Sequence, residues 1–270
     1  MKKNAPIGVM DSGVGGFTVA RTVQKMLPKE DIVYYGDGFN VPYGNRSEAD
    51  ILHLVRQILN MLAERDVKLV AIACNTISVL IDHYKDEYSY PIFSVVQAGA
   101  DDVIARNPAK VGVFSTMFTA KTQAYAKVIH KTAPHIQVIA QGSENLAALV
   151  DAGLDNREGI KEELRRSLGL MAEAHPDMDT LVLGCTHFPL VQDLIEELYP
   201  QFTNIIDPAV MQTKQIQAYL AEHDALNDEG GALNMFTSGD CAQYQALATS
   251  LGMTLAQDVQ YLPAPTPLAE

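Results

Sequence analysis

Two cysteines stand at matching places in this sequence, each at the carboxyl end of a short apolar run. Cys74 closes "LVAIAC" and Cys185 closes "LVLGC". A thiol that precedes a helix is expected to have its pKa lowered by the positive end of that helix. If the two segments face each other, one thiolate can remove a proton from one face of a carbon while the opposite thiol delivers a proton to the other face. For either cysteine alone, a buried structural thiol is the commoner case.

One polar residue accompanies each thiol. His187 lies two residues beyond Cys185, and Asp11 ends the first apolar run, in "GVMDSGVGGFT". Each residue can accept a proton from the nearer thiol or orient it. Capping of the next helix is an equal alternative for Asp11 and Ser12.

The glycines that follow Asp11 match neither common nucleotide-binding motif. No lysine follows them as a P-loop requires, and Thr18 stands where the third glycine of GxGxxG would be. We interpret these glycines as clearing space beside a small ligand.

The elements that must position these residues are alternating strands and helices. Helical spacing of apolar residues is clear in 49–64 and 156–174, and a further helix is predicted at 212–222. This alternation predicts a mostly parallel sheet covered on both faces. The short apolar runs predict strands at 7–10, 32–35, 69–73, 92–96, 111–114, 137–140, 180–183, 204–206 and 233–236.

The chain contains the same plan twice. "IGVMDSGVGGFTVA" resembles "VGVFSTMFTAKTQA", and the two cysteine segments resemble each other in the same order. We therefore predict an α/β fold of two similar Rossmann-like lobes with mostly parallel sheets. A pseudo-twofold relates the lobes, and the active site lies in the cleft between them. Lobe 1 comprises residues 1–96 plus 208–270, lobe 2 comprises 97–207, and "YLPAPTPLAE" is a loosely held tail.

Composition excludes several classes of function. The net charge of −13 over 270 residues argues against a nucleic-acid or anionic membrane partner. Cys74, Cys185 and Cys241 are too few and too widely spaced for a disulfide framework or a zinc site, so we expect no metal. With neither a membrane-spanning run nor a signal peptide, we expect a cytoplasmic protein.

Four motifs, "GVMDSGVGG", "VPYGNRS", "ACNT" and "GCTHFPL", resemble those of the cofactor-independent glutamate racemases in the aspartate/glutamate racemase superfamily. The resemblance implies that Cys74 and Cys185 are the catalytic acid/bases, that Asp11 and His187 assist them, and that Asp151 is the further acid. It implies no cofactor, a D-glutamate product for peptidoglycan, and a fold compatible with a homodimer. The residues that it places at the substrate are Asp11, Ser12, Tyr43, Gly44, Asn75, Thr76, Thr116, Thr119, Thr186 and His187.

Some letters depart from that family. "GDGFNVPYG" has Gly38, Phe39 and Asn40 where an Ala-Arg pair is usual, and Asp151 stands where a longer Glu is usual. An aspartate or broad-specificity amino-acid racemase therefore stays open, as does a racemase-like binding protein with a drifted pocket. A cysteine hydrolase using Cys185 and His187 is disfavoured because their spacing is poor for a nucleophile–base pair and Cys74 is left unexplained.

Overall fold

The computed structural model describes residues 2–268 and contains two parallel sheets with helices on both faces. The strands are β1 (Ile7–Asp11), β2 (Ile32–Gly36), β3 (Leu69–Ile72), β4 (Ile92–Ser94), β5 (Lys110–Thr116), β6 (Gln137–Ser143), β7 (Thr180–Gly184), β8 (Asn204–Ile206), β9 (Leu233–Thr237) and β10 (Gln260–Tyr261). The α-helices are α1 (Phe17–Met26), α2 (Glu48–Ala63), α3 (Asn75–Ser78), α4 (Val95–Arg106), α5 (Met117–Lys121), α6 (Ala124–Thr132), α7 (Leu146–Asp151), α8 (Arg157–Ala174), α9 (Gln192–Leu198), α10 (Pro208–Glu222) and α11 (Cys241–Ser250).

The two sheets repeat one strand order. The first runs β10-β9-β2-β1-β3-β4 and the second runs β6-β5-β7-β8, with every neighbouring pair parallel. The segment β2-β1-β3-β4 therefore has the same order as β6-β5-β7-β8, as the internal repeat predicts. Strands β1, β3 and β7 are buried along their whole length, because helices cover both faces of each sheet. The predicted α/β class with two parallel-sheet lobes is confirmed.

The nine predicted strands are all present. Predicted strand 92–96 stops at Ser94, since Val95 already belongs to α4 and the Ser94 side chain accepts from the backbone N–H of Gln97 at 3.2 Å. Helix α10 begins at Pro208 rather than at 212, because Asp207 caps it by accepting from the N–H of Ala209 at 3.0 Å. Strand β10 was not predicted.

The C-terminal segment returns to the first sheet, where β9 pairs with β2 and β10 pairs with β9. The lobe boundaries 1–96 plus 208–270 and 97–207 stay a prediction. None of the helices in residues 2–268 is long and apolar enough to cross a membrane.

The prediction of a loosely held tail is wrong for residues 261–268. Tyr261 belongs to β10, and the N–H of Leu262 donates to the Thr237 carbonyl at 2.8 Å. Gln57 on α2 makes two hydrogen bonds to the backbone of Thr266, at 2.8 and 3.0 Å. Distant side chains thus satisfy this backbone, which local composition could not indicate.

A buried ion pair joins the first sheet to the C-terminal segment. Lys68 Nζ lies 2.5 Å from Glu30 Oε2, and the two side chains are 0% and 2% exposed. Lys68 also donates to the Ala225 carbonyl at 2.9 Å, while Glu30 accepts from the N–H of Asn227 at 2.8 Å. These contacts hold the chain that follows α10 against the strands.

Replacing Lys68 by Met is expected to lower the free energy of unfolding by about 3 kcal/mol, because Glu30 then stays buried without its cation. Denaturant unfolding measures this change. Lys110→Met is the matched control, since Lys110 pairs with an exposed Asp177, and should cost less than about 1 kcal/mol. Equal losses in the two variants would contradict the assignment of a structural role to the buried pair.

Candidate active site

A cavity of about 210 Å³ lies where the carboxyl ends of β3 and β7 face each other. Both predicted thiols line it, Cys74 after β3 and Cys185 after β7. The structure therefore brings together residues that are far apart in the sequence, as expected for the carboxyl ends of parallel strands. The full lining consists of Ser12, Val41, Pro42, Tyr43, Gly44, Cys74, Asn75, Thr76, Thr116, Ala147, Ala148, Asp151, Cys185, Thr186 and His187.

Cys74 is a neutral thiol at physiological pH. Burial, followed by the nearby charge of Asp11, raises the pKa of Cys74 to about 12. Its Sγ lies 3.6 Å from the Ser12 hydroxyl oxygen. The expectation that a helix start lowers the pKa of this thiol is wrong for Cys74. Helix α3 has only four residues, so its dipole is too weak to offset burial.

Cys185 faces a histidine held by a carboxylate. Its Sγ lies 3.6 Å from His187 Nδ1, and His187 Nε2 lies 2.9 Å from Asp151 Oδ1. Burial alone would lower the pKa of His187, but the charge and hydrogen bond of Asp151 raise it well above its ordinary value. His187 is therefore an imidazolium that can donate to both Asp151 and the sulfur. Asp151 reaches the site through His187.

Cys185 and His187 are in contact, as a cysteine hydrolase would need, although their spacing in the sequence predicted poor geometry for such a pair. Cys185, His187 and Asp151 form a chain of nucleophile, imidazole and carboxylate with contacts of 3.6 and 2.9 Å. A short loop achieves this because both side chains turn to the same side after β7. This correction leaves Cys74 as the feature that a hydrolase does not use.

Asp11 lies behind the cavity lining. It is 0% exposed, and the Thr186 hydroxyl lies 3.3 and 3.4 Å from its two carboxylate oxygens. Burial raises the pKa of Asp11 to about 7, although the nearby His187 charge opposes this rise. Asp11 thus changes charge near neutral pH, directly beneath the loop that follows Cys185.

The raised pKa predicts a pH-dependent penalty on folding. The pKa of Asp11 is about 7 in the folded chain and 3.8 for an unperturbed Asp. The favourable contribution of Asp11 to the free energy of unfolding is therefore fully present below pH 3.8 and is lost as the pH rises through 7. The stability of Asp11→Asn relative to the natural chain should therefore increase by about 3 kcal/mol between pH 5 and pH 8, at about 1.4 kcal/mol per pKa unit. Denaturant unfolding at the two pH values measures the difference.

Asp82→Asn is the control for this experiment. Asp82 is exposed, and its hydrogen bond from Lys85 lowers its pKa, so its ionisation does not change between pH 5 and pH 8. Its stability difference should be the same at both values. If Asp11→Asn behaves in the same way, the buried carboxyl does not titrate near neutrality.

Small polar side chains at the strand ends complete the lining. Tyr125 donates from its hydroxyl to Asn75 Oδ1 at 2.7 Å, which directs the amide nitrogen of Asn75 away from that contact. The hydroxyls of Thr76 and Thr116 lie 3.4 Å apart and join the two sheets across the cavity. Thr119 is buried behind Thr116, which donates to its hydroxyl at 3.1 Å, and does not line the cavity.

Gly15, one of the glycines after Asp11, makes a close approach that the sequence did not suggest. A Cβ on Gly15 would lie 2.3 Å from Thr186 Oγ1 and 2.6 Å from His187 Nδ1. The close approach at Gly15 is therefore to the loop after Cys185. By contrast, a Cβ on Gly13 would meet Val41 at an ordinary 3.5 Å.

Sequence reasoning missed four lining residues and two supporting ones. Ala147 and Ala148 on α7, with Val41 and Pro42, contribute apolar surface to the cavity. Val41 and Pro42 directly precede the predicted Tyr43 and Gly44, so the continuity of that loop was an available signal. Tyr125 supports the lining from a distant position that no local pattern indicates, whereas Asp37 lies only six residues before Tyr43, to which it is hydrogen-bonded. Among residues 2–268, no cluster of three or more His, Cys, Asp or Glu side chains could hold a metal ion.

Comparison with known proteins identifies the family of this chain. The Asp/Glu/Hydantoin racemase family model matches residues 7–216. A glutamate racemase from Thermoanaerobacter pseudethanolicus is 40% identical over 237 residues, which cover 87% of this chain and 88% of that protein.

Two solved structures are similar over nearly the whole chain. A glutamate racemase from Bacillus anthracis has a TM-score of 0.91 at 29% identity, covering 98% of this chain and 99% of that one. A Francisella tularensis glutamate racemase in complex with D-glutamate has a TM-score of 0.88 at 29% identity, covering 97% and 98%. The chain therefore belongs to the Asp/Glu/Hydantoin racemase family, in its glutamate racemase branch.

Proposed function

We propose that this chain interconverts L- and D-glutamate, with Cys74 and Cys185 transferring a proton at Cα from opposite sides of the substrate. The observation that carries the proposal is that one cavity has a thiol from each sheet in its lining. Cys74 follows β3 of the first sheet, and Cys185 follows β7 of the second. A substrate carbon between them would have one sulfur on each face.

The two thiols have different surroundings. Cys74 carries its proton at neutral pH, because burial and Asp11 raise its pKa. The Sγ atom of Cys185 lies 3.6 Å from Nδ1 of His187, which can exchange a proton with the sulfur. We assign Cys185 as the base and Cys74 as the acid for one enantiomer.

Racemisation of the other enantiomer needs the protonation of the two thiols to be reversed. Cys74 must then lose its proton and Cys185 must carry one. Asp11, with a pKa of about 7, can gain or lose its charge near Cys74 at neutral pH. The Ser12 hydroxyl, 3.6 Å from the Cys74 sulfur, is placed to donate to the thiolate that forms.

Thiols alone cannot remove so weakly acidic a proton, so the cavity must stabilise the carbanion as negative charge develops on the α-carboxylate. Hydroxyl and amide groups supply the donors, from Ser12, Asn75, Thr76 and Thr186. His187 is the one cationic side chain in the lining. The α-ammonium of the substrate stays protonated, since it balances the adjacent charge.

Solvent deuterium incorporation tests the substrate and the chemistry together. In D2O, each enantiomer of glutamate should gain one deuteron at Cα as the other enantiomer appears. A cysteine hydrolase or a binding protein would produce no labelled glutamate. Aspartate assayed in parallel separates a glutamate racemase from an aspartate or broad-specificity enzyme.

We further propose that the protein works in the cytoplasm and supplies D-glutamate for peptidoglycan. The relatives that are named glutamate racemases support this role. A homodimer and the lobe boundaries stay proposals. Sedimentation velocity tests the first, and limited proteolysis tests the second.

A further inference from the structure

A short loop supplies one wall of the substrate cavity. The loop from Asp37 to Arg46, here called the Tyr43 loop, contributes the consecutive residues Val41–Gly44 to the lining. The hydroxyl of Tyr43 donates to Asp37 Oδ2 at 2.6 Å, within the same loop. The position of this wall therefore depends on what holds Asp37.

Asp37 is held by neutral donors. Ser238, in the C-terminal segment, donates to Asp37 Oδ1 at 2.7 Å, and Asn40 Nδ2 donates to Asp37 Oδ2 at 2.9 Å. Together with Tyr43, these contacts satisfy a carboxylate that is 0% exposed. The loop is thus built around one buried carboxylate.

Asn40 connects this carboxylate to the end of the chain. The same Nδ2 group donates its second hydrogen to the Pro265 carbonyl at 2.9 Å, and Asn40 Oδ1 accepts from Arg46 Nη2 at 3.2 Å. One buried side chain therefore spans the Tyr43 loop and the segment Leu262–Leu268, here called the tail.

The tail is also attached to helix α2, which lies outside the loop. Gln57 on α2 pairs with both backbone groups of Thr266, and Asp50 Oδ1 accepts from the N–H of Leu268 at 3.0 Å. Three prolines, at positions 263, 265 and 267, restrict the unfolded tail and so reduce the entropy that docking costs. The tail can therefore act as a fixed support.

We propose that the tail is a positioning segment for the substrate cavity. Asn40 is the positioning residue, because its hydrogen bonds connect the tail to the loop that carries Tyr43 and Gly44. The kinetic part of this inference rests on the proposed glutamate racemase function. If the tail is displaced, the Asn40 contact to Pro265 is lost and the Tyr43 loop gains freedom. The substrate then orders the loop on binding, so its apparent affinity falls.

The test uses two glutamines that bind the C-terminal segment in the same way. Gln57 pairs with both backbone groups of Thr266, and Gln24 on α1 pairs with both backbone groups of Thr254. Both side chains are half-buried and neither lines the cavity. Gln57→Ala should raise KM for glutamate about tenfold with kcat within about twofold, whereas Gln24→Ala should change neither.

Amide hydrogen exchange over residues 40–46 is the readout that does not depend on activity. It should increase in Gln57→Ala and stay unchanged in Gln24→Ala. Asn40→Asp is the second variant, since it puts an acceptor against Asp37 and the Pro265 carbonyl and should raise both KM and loop exchange. Its thermal unfolding reports whether it folds.

Two results would overturn the positioning role. In the first, Gln57→Ala matches Gln24→Ala in KM and in loop exchange. In the second, both variants raise KM equally, which would indicate general loosening of the C-terminal segment. A natural chain that leaves glutamate unchanged would refute the proposed function, while the exchange data would still decide whether the tail holds the loop.

Discussion

Replacing either Cys74 or Cys185 by alanine is expected to reduce the rate of glutamate racemisation by more than about 1000-fold in both directions. This loss is expected because general acid catalysis and general base catalysis each accelerate a reaction by a factor of about 100 to 10,000. Inversion needs one group to remove the proton and another to deliver it on the opposite face. Both sulfurs line one cavity, so neither has a substitute there. Circular dichroism of glutamate measures the rate.

The two variants should differ in the half-reaction that each retains. The remaining thiol can still remove and return a proton on its own face, so each variant should exchange the Cα hydrogen of one enantiomer without inverting it. The two variants should favour opposite enantiomers. Proton NMR in D2O detects this exchange.

Cys241→Ala is the control for loss of a thiol as such. Cys241 begins α11 and does not line the cavity, so this variant should racemise glutamate at the natural rate. If Cys74→Ala or Cys185→Ala does the same, the two-thiol mechanism is wrong.

The fold could be predicted from this sequence because its signals are local and duplicated. Buried parallel strands give short apolar runs, and the repeat of one plan indicated the repeated strand order. The docked tail could not be predicted, because its hydrogen bonds come from Gln57 and Asn40, more than two hundred positions away. Pro-rich composition describes only the isolated segment.

The residues that form the site could be predicted better than their pKa values and their contacts. The thiols, His187 and most lining residues followed from strand ends and motifs. The raised pKa of Cys74 could not, because it depends on how deeply the folded chain buries the thiol and on the nearby charge of Asp11. The contact between Asp151 and His187 also depends on how α7 packs over the cavity, which the spacing of the two residues does not indicate.

Gly15→Ala is expected to reduce kcat/KM for both enantiomers by more than about 100-fold, since a displacement of about 1 Å in a catalytic group can cost that much. The new Cβ would lie 2.3 Å from Thr186 Oγ1 and 2.6 Å from His187 Nδ1, well inside the ordinary contact distance of at least 3.4 Å. Relief of this clash must move the Thr186 hydroxyl and the ring of His187. Steady-state kinetics in both directions measures the loss.

Gly13→Ala is the matched control in the same loop. Its Cβ would have no neighbour closer than 3.5 Å, and the φ of Gly13 is not positive, so alanine fits there. This variant should keep kcat/KM within about threefold, since it displaces no catalytic group. Thermal unfolding of both variants separates misplacement of the loop from failure to fold.

The comparison decides why the loop is rich in glycine. If Gly15→Ala also stays within about threefold, then turnover does not need Thr186 and His187 to approach this loop closely. If Gly15→Ala alone is impaired, the glycine is required because the Thr186 hydroxyl and the His187 ring must pack directly against the loop that follows β1. The loop then contributes to catalysis by leaving room for the Cys185 loop, while the contact of Asp11 with Thr186 links the charge of the buried carboxylate to the same interface.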